Sequence, residues 1–199
     1  NCELTISGGN EHMYHIKNDK RMRTSANAIV DGLVKCLQLE SLQSITVTEV
    51  QRTSGVGRST FYRLFDDLSD VLLYKSDQLF AEMVAERRRR SGAEANSLPS
   101  YFVKQWLNNS TILETIVTSH RDDILFSGFE KCFADLKDYL LPNSQLDEAT
   151  NDYIVALAAS AVVASLKTWI RHGKAETAEE LLQHVRQASA IFNTIQSIE

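Results

Sequence analysis

Apolar residues recur at helical spacing along most of this chain. Ala26, Ile29, Val30, Leu33, Val34 and Leu37 form an i, i+3, i+4, i+7 stripe. The stripe predicts a first helix capped by Thr24 or Ser25 and ending near Leu39. Phe61, Leu64 and Phe65 mark the inner face of a short helix. Val71, Leu72, Leu79, Phe80 and Met83 mark a long one from about Ser69 to Arg90, with Asp67 as its cap. Four helical segments follow. Leu98 to Ser119 carries Phe102, Trp106, Leu107, Leu113, Ile116 and Val117, with a break expected near Asn108 to Thr111. Asp122 or Asp123 opens a segment to Leu141, where Pro142 ends it; Phe126, Phe129, Cys132, Phe133, Leu136 and Tyr139 are its apolar residues. Asp147 to about His172 is terminated by Gly173, and Thr177 with Glu180 makes a capping box that opens a last helix to about Ile198.

Between the first and the long helix, Thr46 to Phe65 reads TVTEVQRTSGVGRSTFYRLF. Thr46 and Glu49 stand three apart as a second capping box, and Ile45 and Val50 flank the cap as a hydrophobic staple. Gly55 sits where a helix needs a left-handed terminal residue, and Gly57 is a permissible cap for the next one. Opposite Phe61, Leu64 and Phe65 lie Arg58, Ser59, Thr60, Tyr62 and Arg63, all able to hydrogen-bond outward. Two short helices, a glycine turn and a polar second helix are the build of a helix-turn-helix, which reads DNA.

The last two helices are apolar around more than half their circumference. One carries Ile154, Leu157, Ala158, Ala161, Val162, Leu166, Trp169 and Ile170. The other carries Leu181, Leu182, Val185, Ala188, Ile191, Phe192, Ile195 and Ile198. Such a pair needs cover on two sides. The chain's own domain supplies one, and a second copy is expected on the other, giving a homodimer through residues 147–172 and 177–198. Two copies also match the two half-sites of a pseudo-palindromic double-stranded DNA operator.

Composition agrees with a mostly helical, soluble chain. Of 199 residues, 43% are hydrophobic and 24% charged, with only two prolines. The longest uncharged apolar stretch, Tyr153 to Leu166, is shorter than the roughly 20 residues that span a bilayer, so no membrane association is expected. Three separated cysteines, Cys2, Cys36 and Cys132, show no metal-type pairing and fit a reducing compartment. Cys36 and Cys132 read as small buried hydrophobes. With no secretory segment near the start, a cytoplasmic location is expected. Residues Asn1 to about Asp19 lack apolar periodicity and include Gly8-Gly9. They are expected to be disordered, or to precede a natural start at Met13.

The net charge of −5 runs against a polyanion partner, but its distribution does not. Between Val50 and Phe65 the charged residues are Arg52, Arg58 and Arg63, with no acid. Lys17, Lys20, Arg21 and Arg23 form a second basic group, while Asp147, Glu148, Glu176, Glu179 and Glu180 lie far along the chain. The run Arg87 to Arg90 falls ~30 Å from the start of its helix and suits the negative end of the helix dipole, so it reads as a solvated terminus. Nothing points to an enzyme. There is no glycine-rich phosphate loop, no zinc-type spacing, and the five histidines are scattered, so neither cofactor nor metal is expected. The cluster His120-Arg121-Asp122-Asp123 is explained by acids opening a helix.

In the order of its helices the chain resembles the TetR family of bacterial transcriptional regulators. Ile45-Thr46-Val47, Gly55-Val56 and Thr60-Phe61-Tyr62 with Phe65 carry the match. The Trp169–Gly173 segment and the opening Glu176 to Leu182 are similar to the end of many members. The C-terminal half is similar to the subgroup containing activators of dihydroxyacetone kinase operons. The resemblance implies an all-α protein: a segment 1–20, a three-helix DNA-binding domain over 21–68, and a helical ligand-binding and dimerising domain over 69–199. The chain departs from the family at Gly57, where a serine is common, at Gln51 and Ser54, at Leu64, and at Leu68, where many members place a phosphate-binding lysine.

On this reading the chain regulates transcription as a repressor released by a small-molecule effector. Arg58, Ser59 and Thr60 lie near base edges, with Arg suited to guanine, while Thr46, Arg52, Tyr62 and Arg63 hold phosphates. Trp106, His120, Phe126, Phe129, Phe133, Tyr139, Tyr153 and Trp169 are candidates to line an effector cavity, and no residue names the ligand. The alternative is an activator or coactivator on the same fold that acts through a partner protein and binds DNA weakly.

Overall fold

The structure, a computed structural model, describes residues 14–16, 19–90, 98–140 and 146–196, with side chains at 98, 137–140 and 192–196 excepted. Among the described residues all regular structure is helical, in nine helices. The chain divides into two compact units, Asn1–Lys75 and Ser76–Glu199, with the boundary inside the long helix.

The first unit contains α1 (Lys20–Leu37), α2 (Val47–Ser54), α3 (Arg58–Leu64) and the start of α4 (Leu68–Arg89). Helix α1 packs on both α2 and α3. Their shared core is Ala26, Ile29, Val30, Leu33, Ile45, Val50, Phe61, Leu64, Phe65, Val71 and Leu72, all buried. Each large apolar side chain contributes roughly 1.5–3 kcal/mol by leaving water. Gly32 lets α1 and α2 approach closely.

Helix α1 begins earlier than its apolar stripe. Asp19, not Thr24 or Ser25, is the cap, its carboxylate accepting from the backbone N–H of Arg21 at 2.7 Å and of Met22. The Thr24 hydroxyl donates within the helix to the Lys20 carbonyl at 2.9 Å. The stripe marks where the helix becomes buried. Its first turn is exposed apart from half-buried Met22, a lone apolar residue that makes no stripe. The far end stops at Leu37, and Leu39 is 85% exposed.

The expectation that the segment through residue 20 stands apart from the fold fails at its described end. The Tyr14 ring meets Tyr74 edge-on at 5.1 Å, and the His15 backbone N–H donates to the Leu64 carbonyl at 2.9 Å. Tyr74 is a partner sixty residues away, so no local pattern announces it. Residues 1–13 lie outside the described residues.

The second unit holds the remainder of α4 with α5 (Leu98–Asn108), α6 (Ser110–Thr118), α7 (Asp122–Leu140), α8 (Glu148–Arg171) and α9 (Ala178–Gln196). The expected break after Asn108 is present, with Asn109 between α5 and α6. Helix α5 packs on α6 and α9, α7 on α6 and α8, and α8 on α9. At the centre Phe80 meets Trp106 at 5.6 Å and Phe129 at 4.9 Å, and Phe129 meets Phe102 at 5.0 Å. Gly128 makes room for this cluster, since a Cβ there would fall 2.0 Å from the Phe80 ring.

Gly173 and Lys174 turn the chain out of α8 with φ of 70° and 62°. The Trp169 indole N–H donates to the Glu176 carbonyl at 2.9 Å, closing the turn. Thr177 and Glu180 form the expected capping box: the Thr177 backbone N–H donates to the Glu180 carboxylate at 2.8 Å, and the Glu180 N–H donates to the Thr177 hydroxyl at 3.3 Å. The arginine run is engaged locally, with Arg89 and Arg90 paired to Glu86 at 2.6 and 2.7 Å.

Helix α8 is longer than its uncharged stretch. It continues to 24 residues and is long and apolar enough, by length and composition, to cross a membrane. Ala159, Val163, Leu166 and Trp169 are buried, whereas Tyr153 and Leu157 are 72% and 69% exposed. On α9, Ala178 and Leu181 are buried and Ile191 is 62% exposed. The side chains of Phe192 and Ile195, and all of Ile198, lie outside the described residues.

Candidate nucleic-acid interface

The polar face of α3 is presented by a short, rigidly framed motif. The Thr46 N–H donates to the Glu49 carboxylate at 2.7 Å, and the Glu49 N–H donates to the Thr46 hydroxyl at 3.3 Å, so α2 starts in a complete capping box. Those hydrogen bonds, the backbone one first, hold the Glu49 carboxyl below its ordinary range. Gly55 ends α2 at φ 71°, in the left-handed region that glycine enters without a Cβ clash. Gly57 opens α3 without a side-chain cap. The hold on α3 comes instead from Phe61, Leu64 and Phe65, each fully buried. Beyond α3, Asp67 Oδ1 accepts from the N–H of Ser69 at 2.7 Å and of Asp70 at 3.0 Å, starting α4.

With that side fixed inward, Arg58, Ser59, Tyr62 and Arg63 are exposed and Thr60 is half-buried. Arg52 is exposed in the last turn of α2. The Arg58 guanidinium lies over the Tyr62 ring, 5.4 Å from its centroid. All seven expected DNA-contact residues, Thr46 included, thus have side chains open or partly open to a ligand. Thr46 is exposed, but its donors are engaged. Its N–H and its hydroxyl, the latter at 2.8 Å, both donate to Glu49, which leaves neither for a phosphate. Thr48, likewise exposed at that end of α2, is a further hydroxyl-bearing residue that the apolar pattern passes over. Leu68, in the place of a phosphate-binding lysine, is half-buried.

Of the expected effector residues, Trp106 and Phe129 come together around Phe80. Phe126 and Phe133 are half-buried on α7. His120 is an exposed turn residue at φ 57°, and Tyr153 faces solvent. Trp169 is buried with its N–H already committed to Glu176. The Tyr139 side chain lies outside the described residues. Helical periodicity selects inward-facing aromatics but not which of them share a space. Among the described residues no group of three or more histidine, cysteine or acidic residues could hold a metal ion.

Residues 100–190, which run from α5 into α9, match the TetR C-terminal family described as the transcriptional regulator C-terminal region. Over these residues the chain is similar to the TetR family. Solved TetR-fold structures superpose along most of the chain. The dihydroxyacetone kinase operon activator DhaS aligns with a TM-score of 0.62 at 16% identity, over 86% of this chain and 97% of that one. A TetR transcriptional regulator from Streptococcus agalactiae aligns with a TM-score of 0.57 at 22% identity, over 84% and 94%. A protein from Listeria innocua reaches a TM-score of 0.70 at 15% identity, over 92% and 100%. At these identities the superpositions establish the fold. No curated protein matches in sequence. Within this fold α2 and α3 form the helix-turn-helix, and the segment from α5 into α9 is the part similar to the C-terminal region of the family.

Proposed function

We propose that the chain is a sequence-specific DNA-binding transcriptional regulator, active as a cytoplasmic homodimer, that represses from a pseudo-palindromic operator and is released by a small-molecule effector. One observation carries the DNA reading: an acid-free outer face of α3 bearing Arg58, Ser59, Tyr62 and Arg63, fastened from behind by Phe61, Leu64 and Phe65. Arg58, Ser59 and Thr60 meet base edges in the major groove. Arg52, Arg63 and the Tyr62 hydroxyl meet phosphates, which fix register without reading sequence. Exposed Tyr153, Leu157 and Ile191 support an interface between copies through α8 and α9. The effector acts by binding one arrangement of the dimer better than another, and the cluster around Trp106 and Phe129 is its contact region. Neither the fold nor these residues call for a cofactor or a catalytic step.

The test is selection of bound sequences from a random DNA pool, repeated across salt concentrations. The expected product is a pair of inverted half-sites, with a salt slope that counts phosphate contacts. Arg58→Ala is expected to weaken the selected site more than random DNA, and an equal loss on both removes Arg58 from base reading. A second reading, an activator that needs a partner protein, draws on the half-buried Leu68 in the place of a phosphate lysine. Tight binding of the protein alone to the selected site rules that reading out.

A further inference from the structure

Arg58 and Tyr62 are four residues apart on α3, and helical side chains lean back toward the N-terminus. The Tyr62 ring therefore lies across the turn beneath Arg58, with the guanidinium carbon 5.4 Å from the ring centroid. That is within the reach of a cation–π contact. The ring is itself held: its neighbour Phe61 is fully buried and meets it edge-on at 5.4 Å. Tyr62 remains 44% exposed, so the stack faces outward. No acid lies between Val50 and Phe65, and among the described residues no hydrogen bond or ion pair engages Arg58.

We propose that Tyr62 is a specificity-determining positioning residue, whose ring holds the Arg58 guanidinium edge-outward for a guanine base. The inference rests on the DNA-binding reading above and goes beyond it by giving the ring a role distinct from the phenol oxygen. A guanidinium donates in its plane and stacks through its face. Stacking on Tyr62 thus leaves every N–H donor free while removing much of the side chain's rotational freedom. Guanine O6 and N7 accept two parallel N–H bonds from such a fork. An arginine already ordered in the free protein loses less freedom on binding, and that advantage is realised only where the guanine is present.

The test separates ring from hydroxyl. Tyr62→Phe keeps the ring, so affinity for selected and random DNA falls equally and their ratio is preserved. Tyr62→Leu removes the ring, and the ratio is expected to fall about two- to fivefold, the size of an exposed cation–π contact. In the Arg58→Ala background, Tyr62→Leu is expected to lower the ratio no further. NMR of the free protein gives a readout without DNA: the Arg58 side-chain protons are shifted upfield by the ring in the parent chain and return to ordinary positions in Tyr62→Leu. Helical melting of each variant monitors the fold. An unshifted Arg58 in the parent chain, a Tyr62→Leu variant with the full ratio, or an additive loss in the double variant each overturns the positioning role while leaving DNA reading intact. A parent chain that enriches no sequence overturns the DNA reading and this inference together.

Discussion

A Cβ added to Gly32 on α1 would fall 2.8 Å from the Ser54 Cβ on α2, and 3.1 Å from both Ser54 N and the Val50 carbonyl oxygen. Neither a Cβ nor a backbone atom can swing away, so a larger residue must part the two helices. Helix propensity favours Gly→Ala by about 1 kcal/mol, whereas overpacking costs about 1–3 kcal/mol. Gly32→Ala is expected to destabilise the chain by up to about 2 kcal/mol in urea melts followed by circular dichroism. Ser54→Ala, which retains the Cβ, gives no rescue. A stabilised Gly32→Ala would mean that α1 and α2 do not approach this closely.

Stability should decline in acid through the two capping boxes. Glu49 is held below its ordinary pKa of 4.5 by hydrogen bonds from the Thr46 backbone and then its hydroxyl, and Glu180 likewise by Thr177. A depressed carboxyl pKa contributes stability that is present above the unfolded value and lost as pH falls through the folded one. The melting temperature should therefore drop on going below about pH 4.5. The double substitution Glu49→Gln and Glu180→Gln, which removes the titrating charge and keeps an acceptor, should flatten that decline. An unchanged acid slope would show that the boxes are not the groups responsible.

The two described cysteines should react very differently with a thiol reagent. Burial first, and the nearby Asp135 second, push the Cys132 thiol up to about 12. At pH 8 its thiolate fraction is on the order of one in ten thousand, and the thiolate is the reactive species. Cys36 is half-buried, with its sulfur 3.5 Å from the Thr53 hydroxyl. Maleimide labelling followed by peptide mapping should modify Cys36 in the folded chain and Cys132 only in denaturant. Rapid labelling of Cys132 without denaturant would contradict the packing of α7.

Leu157→Glu should separate copies of the chain without unfolding it. The residue is 69% exposed in the single chain, so the new charge meets water there. In a dimer joined through α8 the same charge is buried without a partner, at a cost of several kcal/mol. Sedimentation is expected to show a dimer for the parent chain and a monomer with unchanged helicity for the variant. A monomeric parent chain removes the dimer reading, and a dimer that tolerates the glutamate moves the interface elsewhere.

The features that could be read from the chain alone are those settled within about one helical turn. Thr46 with Glu49 and Thr177 with Glu180 form capping boxes because partners three residues apart meet whenever a helix starts. Gly55 and Gly173 end helices because left-handed backbone disfavours a Cβ. Phe61, Leu64 and Phe65 face inward because 3.6-residue periodicity puts them on one side, which leaves Arg58, Tyr62 and Arg63 outside. The start of α1 is local too, but Met22 alone in the first turn makes no apolar stripe, so the pattern does not point to Asp19 as the cap.

Tertiary structure alone decided which distant residues meet. Periodicity says that a side chain points inward, and only the crossing of two helices says what it touches. The closeness of Gly32 to Ser54, the space that Gly128 leaves for Phe80, and the pairing of Tyr14 with Tyr74 all depend on such crossings. The same limit explains the expected effector residues. Trp106 and Phe129 converge because α5 and α7 both meet Phe80, while His120 and Tyr153 fall on exposed surface. The polar outer face of α3 is written into a twenty-residue stretch by local rules, whereas a cavity is enclosed by residues that no local rule relates.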